Sequence, residues 1–459
     1  MISMQSTLRR LCVLGLLSGS SALGAQTSDP VRIRTVVDSI IGAALTSGRL
    51  AGGSVAVVRG NDTLVLKGYG MADLELEVPT PDRAVYEIGS VTKQFTSASI
   101  LLLAEQGKLS LDDPLTKYLP DYPTQGRTVT IRRLLDHSSG IAGYTEMAAF
   151  GPLMIQRLPR DTLVKLFSAQ PFKFEPGEAV SYNNSGYFLL GLIIEKLTGG
   201  TYADFVKKNL FDKFGMPDSR YCGQREIVKR RTEGYDFGQG RLVPTAYLDH
   251  TWPYAAGSLC STVWDLVAWS QALHGGRVLN PASYRLMTTP VPLNDGTKIR
   301  YAMGLINDSL GGRHVIQHGG DINGFRSAMA YFPDDQLTIA VLVNTAGPVS
   351  PSAILAAIAD AIHGRPAAPA AVALDHPAAD YAGTYRGVGR GDSLTVTVLD
   401  SAGVRFRLAA AGPQATLARY VGNDSFMIDR NRFSFVRSQG RVTAIRAELV
   451  TLVSLLTRR

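Results

Sequence analysis

Short apolar runs of β type stand at both ends of a long stretch of this chain, and helices fill the space between them. Near the start, "GGSVAVVRGNDTLVLKGYG" gives two such runs around a Gly60-Asn61-Asp62 turn, a hairpin signal. Far downstream, "IRYAMGLIN", "RHVIQHGG", "RSAMAYFP" and "QLTIAVLVN" follow one another with turn residues between. Strands so widely separated imply one sheet assembled from both termini of the region, with a helical subdomain beside it: an α/β (α+β) architecture. Helices are expected at "VRIRTVVDSIIGAALTSGRL", from Ser90 to Gly107, and at "PSAILAAIADAIHG". In the middle stretch, Leu109 to Gly276, the clearest are "YFLLGLIIEKLTGGTY" and "STVWDLVAWSQALHGG", each stopped by paired glycines. The Ser90 helix is apolar on most sides, through Phe95, Ala98, Ile100, Leu101, Leu102 and Leu103, and so belongs inside a core.

The ends of the chain read differently. Arg9 and Arg10, an apolar run from Leu11 to Leu17, and small residues around Ala22, Gly24 and Ala25 have the layout of a secretory signal peptide over 1–25. Its apolar part is too short to span a membrane, and no later run approaches that length, so the mature chain is expected to be exported, periplasmic or secreted, with no transmembrane segment. Removing it deletes two positive charges and no negative ones, lowering the net charge from +8 to +6. No Lys/Arg cluster with interleaved aromatics occurs, which argues against nucleic acid as a partner. Cys222 and Cys260 survive processing, and export permits a disulfide between them. The main domain is expected over 26–364, a Pro/Ala-rich linker over 365–378, and over 379–459 a small all-β module, lipocalin-like in its alternating short strands.

Three polar groupings carry the chemistry. In "YEIGSVTKQF", Ser90 and Lys93 stand three apart, on one face of a helix beginning at the serine, so a desolvated amine could take the hydroxyl proton. Taken alone, an N-cap serine with an exposed lysine explains the pair as well. This is the chain's one Ser-x-x-Lys, however, and an idle lysine on a buried helix is costly. In "GEAVSYNNSGY", Tyr182 could relay a proton and Asn184 could donate to a substrate carbonyl, the alternative being a packing tyrosine and an N-cap. In "VIQHGGDINGFRS", His318-Gly319-Gly320 ends a β-type run, where glycines let a substrate backbone lie along the strand edge. His274-Gly275-Gly276 repeats the triplet, but it ends a helix.

In this order the three groupings, together with "TIRRLLDHSSGI", "FEPGEAVSYNNSGYFLLGLIIEKLTG" and "AAGSLCSTVWDLVAWSQAL", resemble the serine β-lactamase and penicillin-recognising family. The likeness is to its class C-like branch of β-lactamases, penicillin-binding proteins, D-peptidases and esterases (peptidase S12-like), over about residues 30 to 362. The resemblance implies Ser90 as acylated nucleophile, Lys93 as general base and Tyr182 in proton transfer. It implies substrate contacts at Asn184, His318, Gly319 and Gly320, with the N–H groups of Ser90 and Asp321 as oxyanion hole. It departs from typical β-lactamases at His318, where they carry lysine, so the cation that would hold a substrate carboxylate is missing. Arg326 reads as a surface residue and His137 as scaffold. No Gly-x-Ser-x-Gly elbow, His-Glu-x-x-His helix or phosphate loop occurs, so no cofactor and no metal are expected. The reading is a serine hydrolase acting on D-amino-acid peptides, esters or β-lactams, small or short-peptide substrates that include cell-wall peptide. Its rival is a non-catalytic protein of the same fold that binds cell-wall fragments.

Overall fold

In the computed structural model the described residues are 30–459, apart from 224–225, 366, 368–369, 390–393, 400–403 and 409–413. The signal-peptide expectation lies outside them, and the linker expectation partly so. A seven-stranded sheet is built from both ends of the main region. Its strands are β1 (Gly52–Arg59), β2 (Asp62–Asp73), β3 (Val78–Pro79), β4 (Ile306–Leu310), β5 (Arg313–Ile322), β6 (Phe325–Phe332) and β7 (Leu337–Val343), in the order β4-β5-β6-β7-β1-β2-β3. The two halves join where β1 pairs antiparallel with β7, Ala56 opposite Ala340.

Both faces of this sheet are covered, which is why its central strands read as unbroken apolar runs. Val55 and Val57 of β1, with Ile339, Val341 and Val343 of β7, pack against α1 (Pro30–Thr46) and the last helix of the region, Pro351–His363. The residues between them, Ala56, Val58, Ala340 and Leu342, point the other way, into the larger core of the helical subdomain. That core holds α2 (Thr92–Glu105), α3 (Asn184–Thr198) and α4 (Val263–His274). Phe95 of α2 stacks on Trp269 of α4 with ring centroids 4.3 Å apart. Pro351–His363 is α5.

The sequence places Ser90 at the start of an α-helix, whereas in the structure it lies in a 3₁₀ turn, Gly89–Val91, and α2 begins at Thr92. "IRYAMGLIN" is strand only from Ile306; Tyr301 makes an isolated bridge to Ile306 and is otherwise loop. His274 is the last residue of α4 and Gly276 has φ 73°, so the second His-Gly-Gly triplet is a helix end. Cys222 and Cys260 form a disulfide with Cα atoms 5.3 Å apart.

Beyond the main region, strands from Gly383–Gly387 to Leu452–Arg458 form one antiparallel sheet. Its two edge strands, Thr416–Leu417 and Arg419–Tyr420, are separated in the chain by Ala418 alone, so the sheet curls back on itself in a barrel-like form. Tyr385, Val396, Phe406, Phe433 and Ile445 are among the residues that fill it.

His318 is buried and His274 half-buried, and desolvation pushes each pKa down to about 3. Lys93 adds to the effect at His318, against the Gly319 hydrogen bond, which raises the pKa. An unfolded chain takes up these protons as pH falls through about 6.5, while the folded chain refuses them until about 3. Between those limits the unfolded state binds more protons, so stability falls as pH falls, by up to about 1.4 kcal/mol per pH unit for each ring. Urea unfolding between pH 7 and 4 is expected to show a shallower pH dependence in His274→Gln, which keeps a polar partner for the Tyr284 hydroxyl 2.8 Å away but does not titrate.

Candidate active site

Ser90 follows a short strand, Tyr86–Glu87, that pairs with Leu259–Ser261, and the Ile88 N–H continues the ladder by donating to the Leu259 carbonyl. On the opposite side β5 passes close by. The Ser327 hydroxyl donates to the Ile88 carbonyl at 2.9 Å, and a Cβ on Gly89 would stand 3.0 Å from the Asp321 nitrogen. Gly89 also has φ 49°, so it is glycine for both conformation and space. The turn thus carries Ser90 to the point where the backbone of Asp321 faces it.

One helical turn on, Lys93 is completely buried. Its Nζ stands 3.1 Å from Ser90 Oγ, and donates to Asn184 Oδ1 and to the Ala256 carbonyl, both at 2.8 Å. The rings of Tyr182 and Tyr187 lie with centroids 4.7 and 5.3 Å from it. In the neutral amine, the two N–H groups have Asn184 and Ala256 as acceptors, which turns the lone pair toward the Ser90 hydroxyl. The protonated amine has three acceptors for three N–H groups. Either form is satisfied without movement of the helix, as a base that gains and loses a proton requires.

Tyr182, Asn183 and Asn184 form the opposite wall. The N-cap of α3 is Asn183, whose side chain accepts from the Gly186 N–H at 2.8 Å, so Asn184 is not the cap and its amide is directed to Lys93. The backbone of this wall is anchored residue by residue. Ser181 N–H donates to the His137 carbonyl and Asn183 N–H to His137 Nδ1, both at 3.1 Å, while Tyr182 N–H donates to the Thr451 carbonyl at 3.0 Å. His137 is buried with φ 63°, and its ring lies 4.3 Å from that of Tyr182 and 4.4 Å from that of Tyr301. It is scaffold, but scaffold in contact with the tyrosine.

His318 lies within β5, and the strand runs on through the glycines to Ile322. β4 pairs only with residues 313 to 317, which leaves His318 to Ile322 an outer edge with no strand partner among the described residues. Its Nδ1 is 2.6 Å from the Gly319 carbonyl and therefore carries the proton, so Nε2 accepts from the Tyr301 hydroxyl at 2.9 Å. With its pKa at about 3, the ring is neutral at working pH. The nearby cation is Arg326, held by Asp321 at 3.1 Å and by the Gly347 carbonyl.

Ser90, Asn184 and Asp321 sit between two cavities. One, of about 450 Å³, is walled by Tyr144, Phe150, Met154, Leu248 and Pro253. The other, of about 480 Å³, is polar, with Tyr182, His318, Arg326, Ser352 and Thr451. Residues of the segments 142–157 and 238–250 supply most of the apolar wall. Ser90, Tyr182, Asn184, His318, Gly319, Gly320 and Asp321 therefore line one cleft, and Lys93 lies buried beneath it against Ser90. Tyr301, the Ala256 carbonyl and Thr451 went unseen, and no local pattern marks them. Among the described residues no group of three or more His, Cys, Asp or Glu is placed to hold a metal, and no helix is long and apolar enough to cross a membrane.

The Beta-lactamase family model matches residues 37–363. The chain belongs to the β-lactamase family. Within that family it is 31% identical over 318 residues to penicillin-binding protein 4* of Bacillus subtilis, a match covering 64% of this chain and 68% of that protein. It is 28% identical over 312 residues to a D-aminopeptidase of Gluconobacter oxydans, covering 67% of this chain but only 58% of the aminopeptidase, less than two thirds of its length. Among solved structures, the octameric penicillin-binding protein homologue of Pyrococcus abyssi is similar with a TM-score of 0.65 and 26% identity, over 93% of this chain and 100% of that one. The D-amino acid amidase of Ochrobactrum anthropi, complexed with L-phenylalanine amide, gives 0.62 and 26%, over 72% and 98%. Membership of this family, with an aminopeptidase and an amidase among the relatives of the β-lactamase-family chain, supports hydrolase activity.

Proposed function

We propose that the protein is an exported serine hydrolase that cleaves amide bonds of D-amino-acid amides or short D-peptides through an acyl-enzyme on Ser90. The observation that carries this reading is the contact of a fully buried Lys93 with Ser90, its other N–H directions taken by Asn184 and Ala256. A binding protein has no use for an oriented, desolvated amine beside a serine. In the reading, Ser90 Oγ attacks the substrate carbonyl and gives its proton to Lys93, while the oxyanion forms beside the N–H groups of Ser90 and Asp321. Tyr182 passes its phenolic proton to the departing nitrogen as the C–N bond breaks, and is reloaded from Lys93. Water then attacks the Ser90 ester, releasing the acid and restoring the serine hydroxyl.

The two cavities suggest a polarity for the substrate. Tyr182 lines the polar one, so the leaving group belongs there and the acyl side chain in the apolar one. The amide class is favoured by the relatives named D-aminopeptidase and D-amino acid amidase. A neutral His318 and an Arg326 already paired with Asp321 argue against efficient penicillin hydrolysis, since neither offers an uncommitted positive charge to a carboxylate. Export accords with the signal-peptide layout and with the disulfide. The test is intact-protein mass after exposure to a fluorophosphonate and, separately, to a penicillin. One fluorophosphonate adduct is expected, absent in Ser90→Ala. A folded protein that gains no adduct and consumes neither reagent would favour the fragment-binding rival.

A further inference from the structure

The C-terminal β module touches the main domain at the tyrosine that lines the cleft. The last two strands of the module, Arg441–Leu449 and Leu452–Arg458, are joined by a two-residue turn, Val450–Thr451, closed by Leu449 opposite Leu452. The last strand also adds onto the main domain, with Leu452 opposite Ser181 and Val453 opposite Val180. The Thr451 carbonyl, at the tip, accepts the N–H of Tyr182, and Val450 packs on the small cluster of Tyr182, Tyr301 and Ile306. Thr451 lines the polar cavity together with Ser90, Tyr182 and His318.

The alternation of donors along this wall gives the contact its meaning. Ser181 and Asn183 direct their N–H groups to His137, inside the main domain, while that of Tyr182 finds its acceptor in the module. A strand residue is held from both sides when each edge is paired, and here the module supplies the second edge. Around the turn the docking is charged. Arg446 pairs with Asp295 at 2.6 Å, Arg300 donates to the Glu448 carbonyl at 3.0 Å, and Arg430 lies 3.4 Å from Asp308.

We propose that the module is a positioning element of the active site: the Val450–Thr451 turn fixes where Tyr182 stands, and thereby how well the enzyme protonates a leaving group. This rests on the reading of Ser90 as nucleophile and Tyr182 as proton donor. Val450 and Thr451 are positioning residues, since they act through Tyr182.

Leaving-group dependence separates positioning from general damage. D-phenylalanine amide needs a proton on its nitrogen to depart, whereas p-nitrophenyl acetate expels a stable phenolate and does not. Val450→Asp in the full chain, which forces a carboxylate against the tyrosine cluster, is expected to lower kcat/KM for the amide at least about tenfold and for the ester by less than about twofold. Val450→Ile is expected to leave both unchanged. Arg446→Glu, outside the lining of both cavities and facing Asp295, loosens the same docking without altering the turn residues and is expected to move the ratio in the same direction; it also covers the case in which Val450→Asp does not fold. Parallel losses in both substrates, or no change in either, would overturn the positioning role. Fluorophosphonate labelling of Ser90 in each variant separates that failure from failure of the hydrolase reading: an unlabelled wild-type protein would take down both readings, whereas labelled protein with parallel rates removes only this one.

Discussion

Replacing Lys93 with methionine is expected to lower kcat/KM for a D-amino-acid amide by about 10³–10⁴-fold, the upper part of what a positioned base supplies, or about 4–5.5 kcal/mol of barrier. Methionine keeps the length and apolar stem of lysine, so packing beside Tyr182 and Tyr187 persists and the loss falls on the proton acceptor. Two opposing terms bear on stability. The variant leaves Asn184 Oδ1 and the Ala256 carbonyl without their buried donor, but it no longer places an amine in a site with no solvent access. Stability is therefore expected to change far less than rate. Two measurements check this: steady-state amide hydrolysis, and the second-order rate of fluorophosphonate labelling. Both depend on the same activated hydroxyl and are expected to fall together. Labelling of the variant at the wild-type rate would mean that something other than Lys93 activates Ser90.

How far such a site could be read from sequence depends on the distance over which each contact acts. Ser90 and Lys93 are three residues apart, and the spacing itself announces a shared face, although the serine proved to sit in a 3₁₀ turn just ahead of the helix. Tyr182 and Asn184 were visible for the same local reason, and the N-cap role weighed as the alternative for Asn184 is filled by its neighbour Asn183. The alternation of Val55 and Val57 with Ala56 and Val58 was concealed by apolar residues on both faces, so the strand was legible but its two sides were not. What escaped notice acts through the backbone or across the fold. The Ala256 and Thr451 carbonyls carry no side-chain signature, and Tyr301 reads as one more aromatic in an apolar run. The neutrality of His318 was foreseen from its ordinary pKa, but burial and the proximity of Lys93 enforce it far more strongly than the residue type alone.

The second large effect is expected from a single methyl group. Gly320→Ala is expected to reduce kcat by about 10²–10³-fold, while the neighbouring Gly319→Ala costs less than about tenfold. Neither glycine has a positive φ, so alanine could adopt either backbone and the difference is one of space. A Cβ on Gly320 would stand 2.1 Å from the Ile88 carbonyl oxygen and 2.4 Å from Ser327 Oγ. The serine side chain could rotate away, but the carbonyl is main chain two residues before Ser90 and is fixed by the strand that delivers the nucleophile. β5 must retreat, and it takes with it the Asp321 nitrogen that faces Gly89. That withdraws one of the two N–H groups assigned to the oxyanion, a loss of about the size seen when a single such donor is removed. At Gly319 the nearest atom is the Ser327 carbonyl at 3.2 Å, a contact relieved by a shift of a few tenths of an ångström. The paired substitutions therefore test the oxyanion assignment, with strand stability as the control. Overpacking at Gly320 is expected to cost about 1–3 kcal/mol in urea unfolding. If both variants lost rate equally, or if Gly320→Ala lost stability without loss of kcat, the approach of Asp321 to the Ser90 turn would have no part in stabilising the oxyanion.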